Sequence, residues 1–256
     1  MSKIKITKSS DRYIFNLNGF DIHFCNVVDK QTRANLWNIM GIFKNDKVVC
    51  SRGTDIVGVL REKNEAHFMG GVHGNETVED LKIFADGKLL DSSAVECERL
   101  DIVMFSHITR VSSGENVIDR MVNIELCDNS ITISTSFKCL VDDFNLDRAY
   151  NGGMFAWFDD MAEFQYTSAG PIVSGKGDKA CTIDSGHDVV MAVCKHQEAF
   201  IKVENLIGHE NPSFNGKAFY YGTEPHPRIK IYFSTDSDTV WNKGHICSGK
   251  ARYTLM

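Results

Sequence analysis

A chain of 256 residues, 43% hydrophobic and carrying 16 Phe, can bury a substantial core, and its 24% charged residues exclude a disordered or low-complexity class. The formal net charge of −6, from 28 Lys+Arg against 34 Asp+Glu, comes without any dense basic block, so nucleic acid is not the expected partner. The length exceeds a typical domain, yet β-sandwiches and barrels often reach it as one unit, and a single domain over residues 1–256 is expected.

Met1-Ser2-Lys3-Ile4-Lys5 alternates polar and apolar residues and has no signal-peptide run, so the expected location is the cytoplasm, or a virion component made in one. Tyr13 to Phe24 reads as two strands around Asn18-Gly19, a dipeptide that favours a tight hairpin turn. Leu36 to Phe43 fits a strand or a short helix, Asn45-Asp46 turns the chain into Lys47-Val48-Val49-Cys50, and Asp29 to Ile39 is one of two helical candidates. A second hairpin is predicted at Asp86-Gly87, between Leu81-Lys82-Ile83-Phe84 and Lys88-Leu89-Leu90. Ile102 to Arg110, Val117 to Leu126 and Ile131 to Val141 follow as long strands; Ile131, Ile133, Thr135 and Phe137 share one face.

Further strands are expected at Gly153–Phe158, Val189–Cys194, Phe200–Val203, Arg228–Phe233 and Ala251–Leu255, with loops at 167–179 and 207–216 and the second helical candidate at Phe158–Phe164. No run approaches the ~20 apolar residues of a membrane helix, and no strand–helix unit of ~30 residues repeats, which argues against a parallel doubly wound sheet. The expected class is all-β, built of many antiparallel strands in a large sandwich. The eight cysteines form no CxxC pair and mostly sit among apolar residues, as buried free thiols would.

The densest chemical signal is Glu65-Ala66-His67-Phe68-Met69-Gly70-Gly71-Val72-His73-Gly74-Asn75-Glu76. Glycines permit close backbone approach, while two histidines, an amide and a carboxylate supply donors, acceptors and a base. Gly70-Gly71-Val72-His73-Gly74-Asn75-Glu76 resembles the metal-binding start of zinc carboxypeptidase and aspartoacylase-like enzymes. That resemblance implies zinc on His73 and Glu76, completed by His107, His187 or His196, and an amidohydrolase reaction. Its setting departs from those enzymes, because a hairpin follows where they place a long helix.

A second resemblance runs through more of the chain: Thr54-Asp55-Ile56-Val57-Gly58, then the His67–Glu76 segment, the Asp86-Gly87 hairpin, and Tyr150-Asn151-Gly152-Gly153-Met154-Phe155. This order is similar to antiparallel supersandwich proteins related to galactose mutarotase and to polysaccharide-lyase domains, including pieces of phage tail and gut-bacterial glycan proteins. It implies a carbohydrate or glycan partner and a wide β face, and leaves open whether the sugar is only bound or is also transformed.

On such a face His73, Glu76 and Arg110 are the expected proton-transfer and uronate-holding groups. His67, Asn75, His107, Arg120 and Trp241 are the expected ligand contacts. Arg120 reads by itself as a solvated surface cation. Trp37, Trp157 and Trp241 read as packing residues, Trp241 being the best platform for a sugar ring because its neighbours suggest a loop. No cofactor is expected, zinc entering only with the hydrolase reading. No membrane partner is expected. A homo-oligomer or a phage-particle assembly is the expected protein partnership, and a structural subunit of a phage tail or other assembly is the non-enzymatic alternative.

Overall fold

Turn chemistry sets the architecture. Asn18-Gly19 and Asp86-Gly87 hold positive φ at both turn positions (52° and 79°; 49° and 76°), the geometry whose twist matches paired strands. Asn45-Asp46 does so without glycine (52° and 60°), as short polar side chains allow. The computed structural model describes residues 3–51, 58–91, 95–150 and 232–256, and the shorter pieces 163–167, 173–176, 181–183, 189–194, 199–206 and 218–220.

Within these ranges the strands are β1 (Ile4–Lys8), β2 (Arg12–Leu17), β3 (Phe20–Asp29), β4 (Ala34–Lys44), β5 (Lys47–Ser51), β6 (Val59–Glu62) and β7 (Glu76–Ala85). They continue as β8 (Lys88–Leu89), β9 (Glu96–Cys97), β10 (Arg99–Thr109), β11 (Asn116–Cys127), β12 (Ser130–Cys139), β13 (Phe144–Tyr150) and β14 (Glu163–Thr167). The last are β15 (Val173–Lys176), β16 (Cys181–Ile183), β17 (Val189–Cys194), β18 (Ala199–Asn205), β19 (Ala218–Tyr220), β20 (Tyr232–Trp241) and β21 (Ile246–Leu255). A large sheet runs β15-β14-β17-β18-β21-β12-β11-β10-β7-β4-β3-β2-β1-β9, with β5 on β4 and β8 on β7; a smaller one runs β16-β19-β20-β13-β6.

Pairing is antiparallel except where β4 meets β7, with Ala34 opposite Glu76 and Asn35 opposite Thr77. Strand faces follow the period of two: in β10, Leu100, Ile102, Met104, Ser106 and Ile108 are buried while the residues between them are part-exposed. Apolar residues of β1 to β4 and of β10 to β12, β18 and β21 meet in one core, so the large sheet curls back on itself. A second core joins Leu60, Phe144, Leu146, Ala149 and Trp241 of the smaller sheet to Ile108, Ile118 and Phe137 of the large one. This is the expected all-β supersandwich.

Several sequence expectations change. Leu36 to Phe43 is strand, and the helical candidate Asp29 to Ile39 is instead the end of β3, a turn at 30–33 and the start of β4, because Ala34 to Lys44 pairs along β3. Val173–Lys176, expected as loop, pairs with β14. Phe164, at the end of the second helical candidate, is in β14. The strand expected at Gly153–Phe158 and the loop at 207–216 lie outside the described residues. Among those residues no helix is long and apolar enough to cross a membrane. The described cysteines, Cys25, Cys50, Cys97, Cys127, Cys139 and Cys247, are all free thiols.

Candidate functional site

Gly71–His73 forms one 3-10 turn between two glycines, Gly70 (φ 87°, ψ 163°) and Gly74 (φ 81°, ψ −157°). Both occupy a region essentially closed to residues with a Cβ. At Gly74 a Cβ would also fall 2.0 Å from the Thr32 carbonyl oxygen. The turn is closed internally, with Gly70 N donating to Gly74 O at 2.8 Å and His73 N to Gly70 O at 3.2 Å. Asn75 straps it down: its N donates to Thr32 O at 2.7 Å and its O accepts from Thr109 N at 2.8 Å. Asn75 is buried, holds φ 53°, and leaves its side-chain Oδ1 without a hydrogen-bond partner. His73 is half-buried at the end of this fixed turn.

Beneath the turn lies an ion pair between Glu76 and Arg120, both side chains fully buried. Glu76 Oε1 accepts from Ser106 Oγ at 2.5 Å and Oε2 from Gly71 N at 2.7 Å. Arg120 Nη1 donates to Gly58 O at 3.0 Å. Desolvation pulls the Arg120 guanidinium below its ordinary value and Glu76 pulls the other way.

Alongside the turn stands a cluster centred on Phe68. Its ring lies 5.5 Å from the His73 ring and 5.7 Å from Tyr150, and the Arg61 guanidinium sits 5.0 Å from its centroid. Phe68 is held there because Met69 exchanges two backbone hydrogen bonds with Leu60, extending the free edge of β6. The register of β13 against β6 shifts between Leu146 and Arg148, and such a bulge re-aims side chains. Asp147 thereby meets Arg61 (Nε to Oδ2, 2.6 Å) and Arg148 (3.2 Å). Burial is the strongest influence on Asp147 and pushes its carboxyl up, but the two guanidiniums together outweigh it and hold the carboxyl below the usual range. Two guanidiniums sharing one carboxylate leave the cluster locally positive on a chain of net charge −6.

The expected site residues are divided by this arrangement. His73 belongs to the cluster, while Asn75 and Glu76 lie buried under it and His67 is exposed nearby. His107 points to the opposite face of β10 from Ser106 and joins Asp119 (2.7 Å) and Glu79 (2.9 Å). Arg110 is held bidentately by Glu62 (2.7 and 3.0 Å) and by Glu115 (2.5 Å), so its fork is already occupied. Arg120, read from sequence as a surface cation, is fully buried because β11 alternation turns it inward opposite Phe137. Trp241, read as a packing residue and as the best sugar platform of the three tryptophans, ends β20 with no exposed surface, stacks on Phe144 and donates Nε1–H to Asp236 at 2.9 Å. It is a core residue.

The zinc reading loses its footing because both Glu76 oxygens are engaged by Arg120, Ser106 and Gly71, and among the described residues no group of three His, Cys, Asp or Glu gathers as a metal set. His187, His196 and Trp157 lie outside the described residues. Sequence reasoning missed Arg61, Asp147 and Arg148; nothing local marks them, since Arg61 and Asp147 are 86 positions apart.

The sequence matches no protein-family model and no curated protein. Similar solved structures share the fold at very low identity. A Salmonella typhimurium protein assigned as a mutarotase superposes with TM-score 0.50 and 6% identity, over 99% of this chain and 94% of its own. The α-N-acetylgalactosaminidase of Bifidobacterium bifidum, solved with GalNAc, superposes with TM-score 0.52 and 10% identity, over 95% of this chain and 36% of its own.

Proposed function

We propose that this chain recognises a sugar at the Phe68 cluster, and that His73 exchanges a proton with it in an epimerase- or mutarotase-type reaction. The observation that carries the reading is that one ring, Phe68, touches His73, Arg61 and Tyr150 at once. A pyranose presents an apolar C–H face and a rim of hydroxyls. Flat rings flanked by guanidiniums and a carboxylate complement both features. The fold shared with a protein assigned as a mutarotase and with a GalNAc-bound glycosidase supports the same substrate class.

In mutarotation the anomeric hydroxyl gives up its proton while the ring oxygen takes one, the C1–O5 bond breaks, and reclosure reverses both transfers. The His73 imidazole serves as acceptor or donor for one of these protons, and solvent water carries the other. Arg61 and Arg148 stand where they would steady an oxygen that gains negative charge. Arg110, expected in that part, lies with Glu62 and Glu115, whereas Arg61, paired with Asp147, stands against the Phe68 ring. The locally positive cluster also suits a uronate carboxylate.

Saturation-transfer NMR with D-galactose, N-acetyl-D-galactosamine and D-glucuronate, followed by polarimetry on freshly dissolved α-anomers, tests the reading. Binding by the parent, lost in His73→Ala and Arg61→Leu with folding intact, is expected, together with faster approach to anomeric equilibrium. Binding without acceleration reduces the protein to a recognition module. No binding of any of the three sugars rejects the site.

A further inference from the structure

We infer that the buried Glu76–Arg120 pair is the positioning element of this site, one hydrogen-bonded unit that sets the His73 turn against the start of β6. This rests on the proposed sugar site and deepens it. Each partner reaches a different site segment. Glu76 Oε2 accepts from Gly71 N at 2.7 Å, and Gly71 opens the turn that ends at His73. Arg120 Nη1 donates to Gly58 O at 3.0 Å, and Gly58 directly precedes the strand that carries Arg61. Ser106, from β10 between them, completes Glu76 with a 2.5 Å hydrogen bond. The pair therefore ties β7, β10 and β11 of the large sheet to a turn and to the edge strand of the smaller one.

Stability alone is a poor reason for such a pair. Removing both charges from water is expensive, and apolar replacements of similar volume are often neutral or stabilising. Preorganisation is the better reason, since small misplacement of reacting groups lowers rates strongly. Met69, Gly70 and Gly71 form a short tether between the Leu60 edge and the turn. Without the pair, Gly71 N–H and Gly58 C=O lose their shared anchor, and His73 and Arg61 are free to drift apart. Glu76 and Arg120 thus act through His73 and Arg61, without touching substrate.

The experiment compares Glu76→Leu/Arg120→Met, Glu76→Gln/Arg120→Met and Ser106→Ala with the parent, using D-galactose as probe and the His73 ring resonances and Gly71–His73 amide exchange as readouts that need no sugar. The apolar double variant is expected to melt cooperatively within a few degrees of the parent. Its His73 resonances shift, its turn amides exchange faster, and its D-galactose affinity falls about tenfold or more. The Gln-containing variant keeps an acceptor for Gly71 N–H and recovers part of the turn's protection, a rescue that a purely packing role would not produce. Unchanged His73 resonances and amide exchange in a folded double variant overturn the inference. If that variant does not fold, Glu76→Gln/Arg120→Met, which still frees Gly58 O from Arg120, gives the same readouts, and His73 resonances that stay unchanged in it are equally fatal, while Ser106→Ala, which leaves both anchors in place, is expected to change them least. A parent that binds no D-galactose refutes the probe's place in the site while the resonance and exchange arms still decide the clamp.

Discussion

Asp147 sits between Arg61 and Arg148 with little solvent exposure, and the two cations hold its carboxyl below the ordinary range against the opposing push of burial. A carboxyl depressed in the folded state adds stability that is complete above the unfolded value of about 3.9 and fades as pH falls through the folded value. Asp147→Asn should therefore lower the melting temperature at neutral pH and flatten its fall in acid, the two curves converging once pH drops below the depressed value of the folded carboxyl. Parallel curves across that window would show that the pair is electrostatically idle. At the same scale, Arg120 and Trp241 show how weakly a residue's type predicts its place. Arg120 read as a surface cation and Trp241 as the best sugar platform among three packing tryptophans, and strand alternation sends both inward, where Glu76 pairs with the one and Asp236 accepts from the other.

At the scale of elements, the His73 turn is fixed by its two flanking glycines more than by its side chains. Gly74 combines a φ of 81° and ψ of −157° with the nearby Thr32 carbonyl, so Gly74→Ala incurs both conformational strain and a backbone clash. The expected loss is about 3 kcal/mol or more, which lowers the melting temperature by roughly 5–10 °C in a chain of this size. Sugar binding should fall with it, since His73 would move. Retention of the parental melting temperature would mean that the turn relaxes at little expense. The hairpins belong to the same scale and were readable in advance. Asn18-Gly19 and Asp86-Gly87 turn where their dipeptides predict, because local φ preferences settle a two-residue connection. Leu36 to Phe43 was ambiguous because a short apolar run fits either period until a neighbour pairs with it, here β3 and β5.

For the whole molecule, long-range pairing carries the structure. β21 lies between β12 and β18 and buries Ala251, Tyr253 and Leu255 completely. Deleting residues 246–256 removes a central strand, exposing two unpaired edges and part of the main core. The shortened chain is expected to be insoluble or to melt without a cooperative transition, as a solubility assay and a thermal scan would show. A sharp parental melt would place the stabilising core elsewhere. The same topology puts the Phe68 cluster where an edge strand of the smaller sheet meets a turn anchored in the large one.

From its amino acids alone this chain is a β protein with hairpins at defined dipeptides and a glycine-bounded histidine turn, because period-two burial and backbone φ preferences act over a few neighbouring residues. Only the tertiary structure decided which residues stand beside that histidine. Arg61, Phe68, Asp147 and Tyr150 converge through the β6–β13 pairing and its bulge, whereas Glu76, Arg120 and Arg110 are drawn into ion pairs around it. Charge partners are chosen by distance across paired strands, and that distance is independent of separation along the chain.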